Sequence, residues 1–374
     1  MMPEIAVAVS GGIDSLAAAY LFKKQYGRNI IGFHFLTGYE HTHTDYSQVP
    51  AVSPNPLNPL QKNAPPRVFD PPNHHPIQLV ANQLDIPIKL FDCRDTFQRQ
   101  IVDYFVRAYK AGETPNPCMI CNQKIKFGLV FDEIEKMGIP TLATGHYAKL
   151  MRENGITHIH KGVDAIKDQS YFLAFLKPEK LPFIRLPLGD LTKRQVIDFA
   201  MSHRLSPMSA KESMDICFIP DNNYAGFIAS KPHFSAASGP IVDKTGGILG
   251  THNGLYQFTI GQRRGINCPA AAPYYVTGID TVRNRLIVGF KEDVYKMECS
   301  IDAINWFIPP PSAPLKIAAQ IRYRHRPVEA MLFPSTGADS AILRFKEPQA
   351  AVTPGQAAVC YNDDQLIAGG WIHG

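Results

Sequence analysis

The beginning of the chain constrains the fold most, because an apolar stretch runs straight into a glycine-rich turn and then into a helical pattern. Residues 5–9 are apolar and predict a strand, and from Leu16 onward apolar residues recur at helical spacing. The turn between them reads Ser10-Gly11-Gly12-Ile13-Asp14-Ser15. A strand, a tight glycine loop and a helix N-terminus together present backbone N–H groups to an anion. The turn contains neither GxGxxG nor GK[ST], so it is neither a dinucleotide fingerprint nor a Walker A loop.

Alternating strands and helices continue to about residue 205 and predict an α/β fold with a doubly wound parallel sheet. Further strands are predicted at residues 30–36, 86–91 and 141–144, and helices near residues 77–83, 96–110 and 129–137. Ligands of such sheets bind outside the carboxyl ends of the strands, where the first turn and Gly145-His146 fall.

Residues 41–76 interrupt this pattern with nine prolines. We expect no regular structure there, but a mobile lid or a disordered insert. Its histidines, at positions 41, 43, 74 and 75, are expected to face solvent rather than to bind a metal ion.

After residue 207 the pattern changes to short strands between glycine-rich turns, which predicts β-rich modules or a barrel. The predicted strands lie at residues 216–219, 239–242, 255–260, 274–279, 285–289, 316–322, 328–333, 341–345, 357–361 and 365–371. We therefore predict three domains. An α/β domain with the glycine-rich turn spans residues 1–207. A small central β-rich domain with Cys217 near its start spans 208–272, and a C-terminal β-barrel spans 273–374.

The composition narrows the functional classes. No apolar run in the 374 residues approaches the roughly 20 needed to cross a bilayer, and the N-terminus lacks the pattern of a signal peptide. We expect a cytoplasmic protein without a membrane partner. Seven cysteines with a single Cys-x-x-Cys argue against a disulfide framework. The net charge of +5 is compatible with nucleic-acid binding without demonstrating it.

The Cys-x-x-Cys is formed by Cys118 and Cys121, on a predicted loop between two helices. Lys124 and Lys126 follow closely and are expected to lower the pKa of a thiol there, which would supply a nucleophile or a ligand. A zinc finger would need a second ligand pair at short spacing, and the sequence has none. Two incidental thiols remain the alternative. Cys217 taken alone indicates a core cysteine.

Seven motifs in order resemble those of one family, the bacterial and mitochondrial tRNA-specific 2-thiouridylases, within the PP-loop ATP pyrophosphatases. They are Ser-Gly-Gly-Ile-Asp-Ser at 10–15, Thr-Pro-Asn-Pro at 114–117 with Cys121-Asn122 and Ile125-Lys126-Phe127, Thr-Gly-His-Tyr-Ala at 144–148, Lys-Asp-Gln-Ser-Tyr-Phe-Leu at 167–173, Ile-Cys-Phe-Ile at 216–219, Thr-Ile-Gly-Gln-Arg-Arg-Gly at 259–265 and Thr-Pro-Gly-Gln at 353–356. The resemblance covers nearly the whole chain except the proline-rich insert.

The resemblance implies ATP as cofactor, with Mg²⁺ to screen its phosphates, and it implies that the domain at residues 1–207 binds ATP and is catalytic. The implied ATP contacts are Ala8, Val9, Ser10, Gly11, Gly12, Ile13, Asp14, Ser15, Phe35 and Gly145. ATP would adenylate the C2 oxygen of the wobble uridine, position 34 of tRNA. Cys217 would carry sulfur as a persulfide, and Cys121 would close a disulfide with it as sulfur is delivered. Asp14 belongs to the implied catalytic set.

The resemblance also implies tRNA as partner, together with a sulfur donor that is a cysteine desulfurase, a persulfide relay protein or sulfide. Asn116, Pro117 and Cys118 would lie against the target base, which must leave its stack to be attacked. The other implied tRNA contacts are Lys126, His146, Lys167, Asp168, Gln169, Arg322, Tyr323 and Gln356. Residues 322–326 fit a phosphate-holding patch, with a solvated edge strand as the alternative. Without the resemblance, Asp168 indicates the cap of an ordinary helix.

Cys118 departs from the family, many of whose members have aspartate there. The thiol puts the proton-handling role of that position in doubt. Cys118, Cys121 and Cys217 instead form a hypothetical ligand set for a 4Fe–4S cluster, which could pass sulfide to the activated base. Two rival functions stay open: another ATP pyrophosphatase, such as an amidating ligase, and a tRNA-binding protein without catalysis. The first leaves Cys121 and Cys217 unexplained, and the second would predict damaged motifs.

Overall fold

A computed structural model describes residues 3–27, 29–40, 67–208, 216–219, 222–232 and 234–373. The chain divides into two compact units. The first unit comprises Met1–Ile101 and Met119–Phe218, and the second comprises Val102–Cys118 and Ile219–Gly374. Residues 41–66 of the predicted insert lie outside the described residues. Within the described part of the chain, no helix is long and apolar enough to cross a membrane.

The first unit contains the parallel sheet that the sequence predicted. The strands of this unit are β1 (Ile5–Ala8), β2 (Ile30–Leu36), β3 (Arg67–Phe69), β4 (Ile88–Asp92), β5 (Leu142–Ala143), β6 (Ala148–Glu153), β7 (Ile156–Lys161) and β8 (Ile184–Arg185). In the described residues the sheet order is β3-β4-β2-β1-β5-β8. All neighbours are parallel except the edge strand β3. Strand β3 lies where we expected no regular structure; this short stretch is free of proline and pairs with β4.

The helices are α1 (Ile13–Tyr26), α2 (Ile77–Leu84), α3 (Arg94–Phe97), α4 (Asp103–Lys110), α5 (Pro117–Cys121), α6 (Phe131–Lys136), α7 (Lys193–Ser202) and α8 (Tyr224–Ala229). A π-helical turn at Gln98–Val102 joins α3 to α4, and another at Asn122–Val130 joins α5 to α6. The prediction that Cys118 and Cys121 lie on a loop is wrong, because both belong to α5. Proline at the first helical position explains this, since its fixed φ suits a helix start.

Three further predictions of local structure are wrong. Residues 216–219 form a turn rather than a strand, and Phe218 there packs against Tyr39 and Phe97. Leu255–Gln257 is a 3₁₀ turn after Gly254, whose φ of 139° a strand does not use. Ser170–Leu173 is also a 3₁₀ turn rather than the start of a longer helix.

The second unit contains two β systems. Its strands are β9 (Gly239–Val242), β10 (Ile248–His252), β11 (Tyr275–Asp280), β12 (Arg285–Gly289), β13 (Tyr295–Trp306), β14 (Leu315–Gln320), β15 (Val328–Pro334), β16 (Ser340–Ala350), β17 (Ala357–Asn362) and β18 (Gln365–His373). The first four form a sheet in the order β10-β9-β12-β11, which continues across the boundary predicted after residue 272. The remaining six form a barrel closed by the pairing of β13 with β18. In both systems the strands pair antiparallel, except for the parallel pair of β9 and β12.

Candidate active site

The glycine-rich turn between β1 and α1 forms a closed loop at the carboxyl edge of the sheet. Ser15 Oγ accepts the backbone N–H of Ser10 at 3.2 Å and donates to the carbonyl of Gly12 at 2.8 Å. The N-cap residue of α1 is Gly12, which has no side chain to cap the helix, so the first N–H groups of α1 are oriented to receive an anion. The two serines therefore shape the loop from within.

Gly11 is required by both conformation and space. Its φ is +85°, and a Cβ there would collide with Met208, whose backbone N–H donates to the Gly11 carbonyl at 2.9 Å. The loop is thus supported from a segment almost 200 residues away in the sequence.

Asp14 is held by two groups that its sequence motif does not indicate. Lys193 Nζ lies 2.8 Å from each carboxylate oxygen, and the Tyr147 hydroxyl donates to Oδ1 at 2.6 Å. The Asp14 side chain is 31% exposed, whereas Lys193 is 14% exposed. A cation held this close to an anion-binding loop can take part in binding phosphate. Thr192-Lys193-Arg194-Gln195 predicts a helix start through its capping box, which α7 confirms, but nothing in that pattern indicates Asp14.

The structure brings Gly145, which follows β5, against the same loop. A Cβ on Gly145 would lie 3.0 Å from the carbonyl carbon and oxygen of Asp14 and 3.2 Å from the Ser15 nitrogen. The close approach at Gly145 therefore requires glycine.

Phe35, another implied ATP contact, is half-buried on β2 and packs edge-on against Phe91.

Ala8 ends β1, and Val9 holds the loop to the neighbouring strand. The Val9 N–H donates to the Phe33 carbonyl at 2.8 Å, and the Val9 carbonyl accepts from His34 Nδ1 at 2.8 Å. His34 in turn contacts the ring of His75, with centroids 5.7 Å apart. His75 is buried, so the expectation that it faces solvent is wrong; His74 beside it is exposed.

His146 is buried, with Nδ1 2.7 Å from Thr144 Oγ1 and its ring 5.7 Å from that of Phe127. Burial, and to a smaller extent Lys126, lower its pKa well below the ordinary value, so the imidazole is neutral at physiological pH. The implied contact of His146 with tRNA stays a prediction.

The thiols differ in environment. Cys118 and Cys121 are half-buried, whereas Cys217 is exposed. Burial raises the pKa of Cys121, and Lys126 lowers it by a smaller amount. The expectation of an activated Cys121 thiol is therefore wrong for this state, because removal from water disfavours the thiolate more than one lysine favours it. Lys124 is exposed.

Asp168 and Gln169 organise the backbone of their own loop. Asp168 Oδ1 accepts the N–H of Gly162 at 2.8 Å, and Oδ2 accepts the hydroxyl of Ser170 at 2.8 Å. Gln169 Oε1 accepts the N–H of Tyr147 at 3.0 Å. Burial raises the pKa of Asp168. Lys167, which precedes Asp168, is half-buried, and Ile166 before it is exposed.

In the second unit, Asn116 is buried and Cys118 is half-buried. Arg322 donates to the Ala350 carbonyl at 3.0 Å, and the Tyr323 carbonyl accepts the side-chain amide of Gln320. Residues 322–326 form no edge strand, because β14 ends at Gln320. Their role as a phosphate-holding patch stays a prediction.

Comparison with known proteins places the whole chain within described families. Residues 3–221 match the tRNA methyl transferase HUP domain, residues 227–290 the tRNA methyl transferase PRC-barrel domain, and residues 296–372 the aminomethyltransferase beta-barrel domain. The first match extends through Cys217.

Similar proteins in other organisms bear one name. The tRNA-specific 2-thiouridylase MnmA of Desulfosudis oleivorans is 44% identical over 370 residues, which cover 99% of this chain and 95% of the relative. The protein of that name in Geotalea uraniireducens is 37% identical, over 99% and 94% of the two chains. In Acidithiobacillus ferrooxidans it is 39% identical, over 98% and 97%.

Proposed function

Because the chain belongs to the tRNA-specific 2-thiouridylase family, we propose that it uses ATP to replace the C2 oxygen of the wobble uridine of tRNA with sulfur. The observation that carries the proposal is the serine-closed glycine loop, with Lys193 at its aspartate, in the same compact unit as Cys121 and Cys217. A nucleotide-activating loop and two thiols are the parts that adenylation followed by sulfur transfer requires.

The loop fits ATP by its donors. The N–H groups at the start of α1 and the Ser10 hydroxyl would bind phosphate oxygens, with Lys193 as a neighbouring cation. Mg²⁺ would neutralise the charge that develops on the departing pyrophosphate, and Asp14 is the loop carboxylate that would hold it. Magnesium commonly takes one or two carboxylates together with substrate phosphates.

The proposed chemistry has two stages. The C2 oxygen of the base attacks the α-phosphorus of ATP, and pyrophosphate leaves. The terminal sulfur of a Cys217 persulfide then attacks C2, and the C2–O bond breaks to release AMP. Thiolate Cys121 attacks Sγ of Cys217, which breaks the S–S bond, leaves sulfur on C2 and forms a Cys121–Cys217 disulfide. A thiol reductant restores both cysteines, and the Cys217 thiolate then takes the outer sulfur of a donor persulfide, whose own cysteine leaves as a thiolate.

The iron–sulfur hypothesis lacks support in the structure. Among the described residues, which include all three cysteines, no group of three or more His, Cys, Asp or Glu side chains is placed to hold a metal ion. The cluster stays a hypothesis of the sequence analysis, and we derive no step through one. Iron analysis of protein purified without oxygen tests this directly: stoichiometric iron lost with Cys118→Ser would restore the cluster hypothesis.

The reaction is tested with purified protein, ATP, unmodified tRNA, a thiol reductant and a cysteine desulfurase with cysteine, which delivers sulfur already at the persulfide level. We expect 2-thiouridine by mass analysis of digested tRNA, with AMP formed in equal amount. Cys217→Ser and Cys121→Ser should each abolish thiolation, and Cys268→Ser, a half-buried cysteine elsewhere, should not. AMP formed without thiouridine and with a carbon–nitrogen bond in the product would favour a ligase. Binding of tRNA without any AMP would favour a non-catalytic protein.

A further inference from the structure

The residues that lead into α5 are held firmly by their neighbours in the second unit. This lead-in segment, residues 112–116, ends directly before Pro117 and Cys118. The Thr114 N–H donates to the Pro354 carbonyl at 2.9 Å. The backbone N–H of Asn116 donates to the hydroxyl of Tyr104. The segment therefore has a defined conformation although it contains no regular secondary structure.

A tight turn before β17 provides one side of this clamp. In Thr353-Pro354-Gly355-Gln356 the Gln356 N–H donates to the Thr353 carbonyl at 3.2 Å, and Gly355 has φ of +83°. Proline followed by a glycine with positive φ is typical of a type II turn. A Cβ on Gly355 would lie 2.9 Å from the Glu113 Cβ and 3.1 Å from the Thr114 N and O atoms. The turn can therefore approach the lead-in segment only because this residue is glycine.

Gln356 uses its side-chain amide on the segment itself. Its Nε2 lies 2.9 Å from the Thr114 carbonyl oxygen and 3.3 Å from that of Pro115. Its own carbonyl accepts the N–H of Ile372 in β18 at 2.8 Å. The amide is thus anchored to the barrel and donates to two successive carbonyls of the segment.

We propose that Gln356 is a positioning residue, which holds the lead-in segment so that Asn116, Pro117 and Cys118 are presented to the target base. The family resemblance implies a direct contact of Gln356 with tRNA. The Nε2 end of its amide donates to two backbone carbonyls of the segment, so Gln356 also acts on the base through the segment. The implied tRNA contact stays a prediction. This inference rests on the proposed thiolation of tRNA. In this proposal the barrel helps to set the conformation of the lead-in segment.

Kinetics separate positioning from direct binding. Gln356→Glu removes the N–H donors and sets a carboxylate against two carbonyl oxygens, and Gln356→Met removes them without adding charge. Since small misplacements of reacting groups cost up to about a hundredfold in rate, we expect kcat to fall by about tenfold or more, with the Kd for tRNA changed by less than about threefold. Gln365→Glu on β18 is the charge-matched control and should behave as wild type. A raised Kd with unchanged kcat at saturating tRNA would overturn the proposal.

Gly355→Ala tests the same contact without touching the amide. The added methyl group would push the segment away, so we expect the same loss of kcat at nearly constant Kd. Gly246→Ala is the matched control, because Gly246 has φ of +93° and, among the described residues, no atom within 4 Å of where a Cβ would lie. It adds the backbone strain without the collision. Equal losses in both variants would show that strain alone is responsible and would refute the role of the contact.

Hydrogen exchange tests the clamp in the protein alone, without tRNA or ATP. The amide of Thr114 should exchange at least about tenfold faster in Gln356→Glu than in wild type, and that of a barrel residue such as Ile317 should not change. Unchanged exchange at Thr114 would overturn the proposal. A wild-type protein that makes no thiouridine would refute the proposed function instead, while the exchange rates would still report on the clamp.

Discussion

The buried histidine next to α2 should make the stability of the first unit depend on pH. His75 Nδ1 accepts the N–H of Ile77 at 3.2 Å and its ring packs against that of His34. Burial, followed by the neighbouring charges of His34 and His74, lowers the pKa of His75 to about 4. Burial also lowers the pKa of His34, against the opposing effects of the Val9 carbonyl and Glu40.

The direction in which stability changes with pH follows from proton linkage. The folded pKa lies below the unfolded value of 6.5, so between those values the unfolded chain binds more protons and stability falls as the pH falls. Above pH 6.5 the contribution is fully present. For His75 the change from pH 7.5 to 5.5 amounts to about 1 kcal/mol, and further acidification toward pH 4 adds to the loss. His34 acts in the same direction.

Urea unfolding at pH 7.5 and 5.5 measures this change. His75→Asn keeps an acceptor for the Ile77 N–H but does not titrate. Its loss of unfolding free energy between the two pH values should therefore be smaller than that of wild type by about 1 kcal/mol. His74→Asn, at the exposed neighbouring position, should lose as much as wild type. Equal losses in wild type and His75→Asn would refute the reasoning.

The remaining predictions concern the nucleotide loop and the thiols. Lys193→Met removes the cation at the loop carboxylate and should lower tRNA-dependent AMP formation by about tenfold or more. Its control, Thr192→Ala, removes the α7 cap. This control should lower the free energy of unfolding by about 1 kcal/mol and leave AMP formation unchanged. Gly145→Ala should weaken ATP binding by about tenfold, measured by calorimetry, because the methyl group displaces the loop. Iodoacetamide at pH 7 should modify exposed Cys217 before Cys121, whose alkylation rate should still rise above pH 9.

The fold was predictable wherever burial imposes a simple pattern. Strands β1 and β2 are buried on both faces and therefore appear as continuous apolar runs. The hairpin of β6 and β7 was missed because it is mostly exposed and contains no continuous apolar run: Met151 and Ile156 are exposed beside polar Arg152 and Glu153. Its turn, Asn154-Gly155, has positive φ at both residues and carries the strongest short-range hairpin signal, so attention to that dipeptide would have identified it.

The site was predictable only as far as its motifs are local. The glycine loop is a contiguous signal, but the partner of Asp14 lies 179 residues away, and no spacing in the sequence indicates it. Gln356 lies 242 residues from Thr114. Contacts of this kind are set by how β strands and helices are arranged in space, and a single sequence contains no periodicity that encodes them.

The difference in burial between the two cysteines suits the order of the proposed steps. Exposed Cys217 is accessible to a sulfur donor, whereas the raised pKa of half-buried Cys121 keeps it as a thiol in the resting protein. In the proposed mechanism, a protonated Cys121 would not attack the Cys217 persulfide, so sulfur would be retained until the activated base is present. Lys126 opposes this effect of burial, and any rearrangement that admits water to Cys121 would favour the thiolate. Burial at this position would therefore protect the loaded sulfur from premature loss, which a fully exposed low-pKa cysteine would not do.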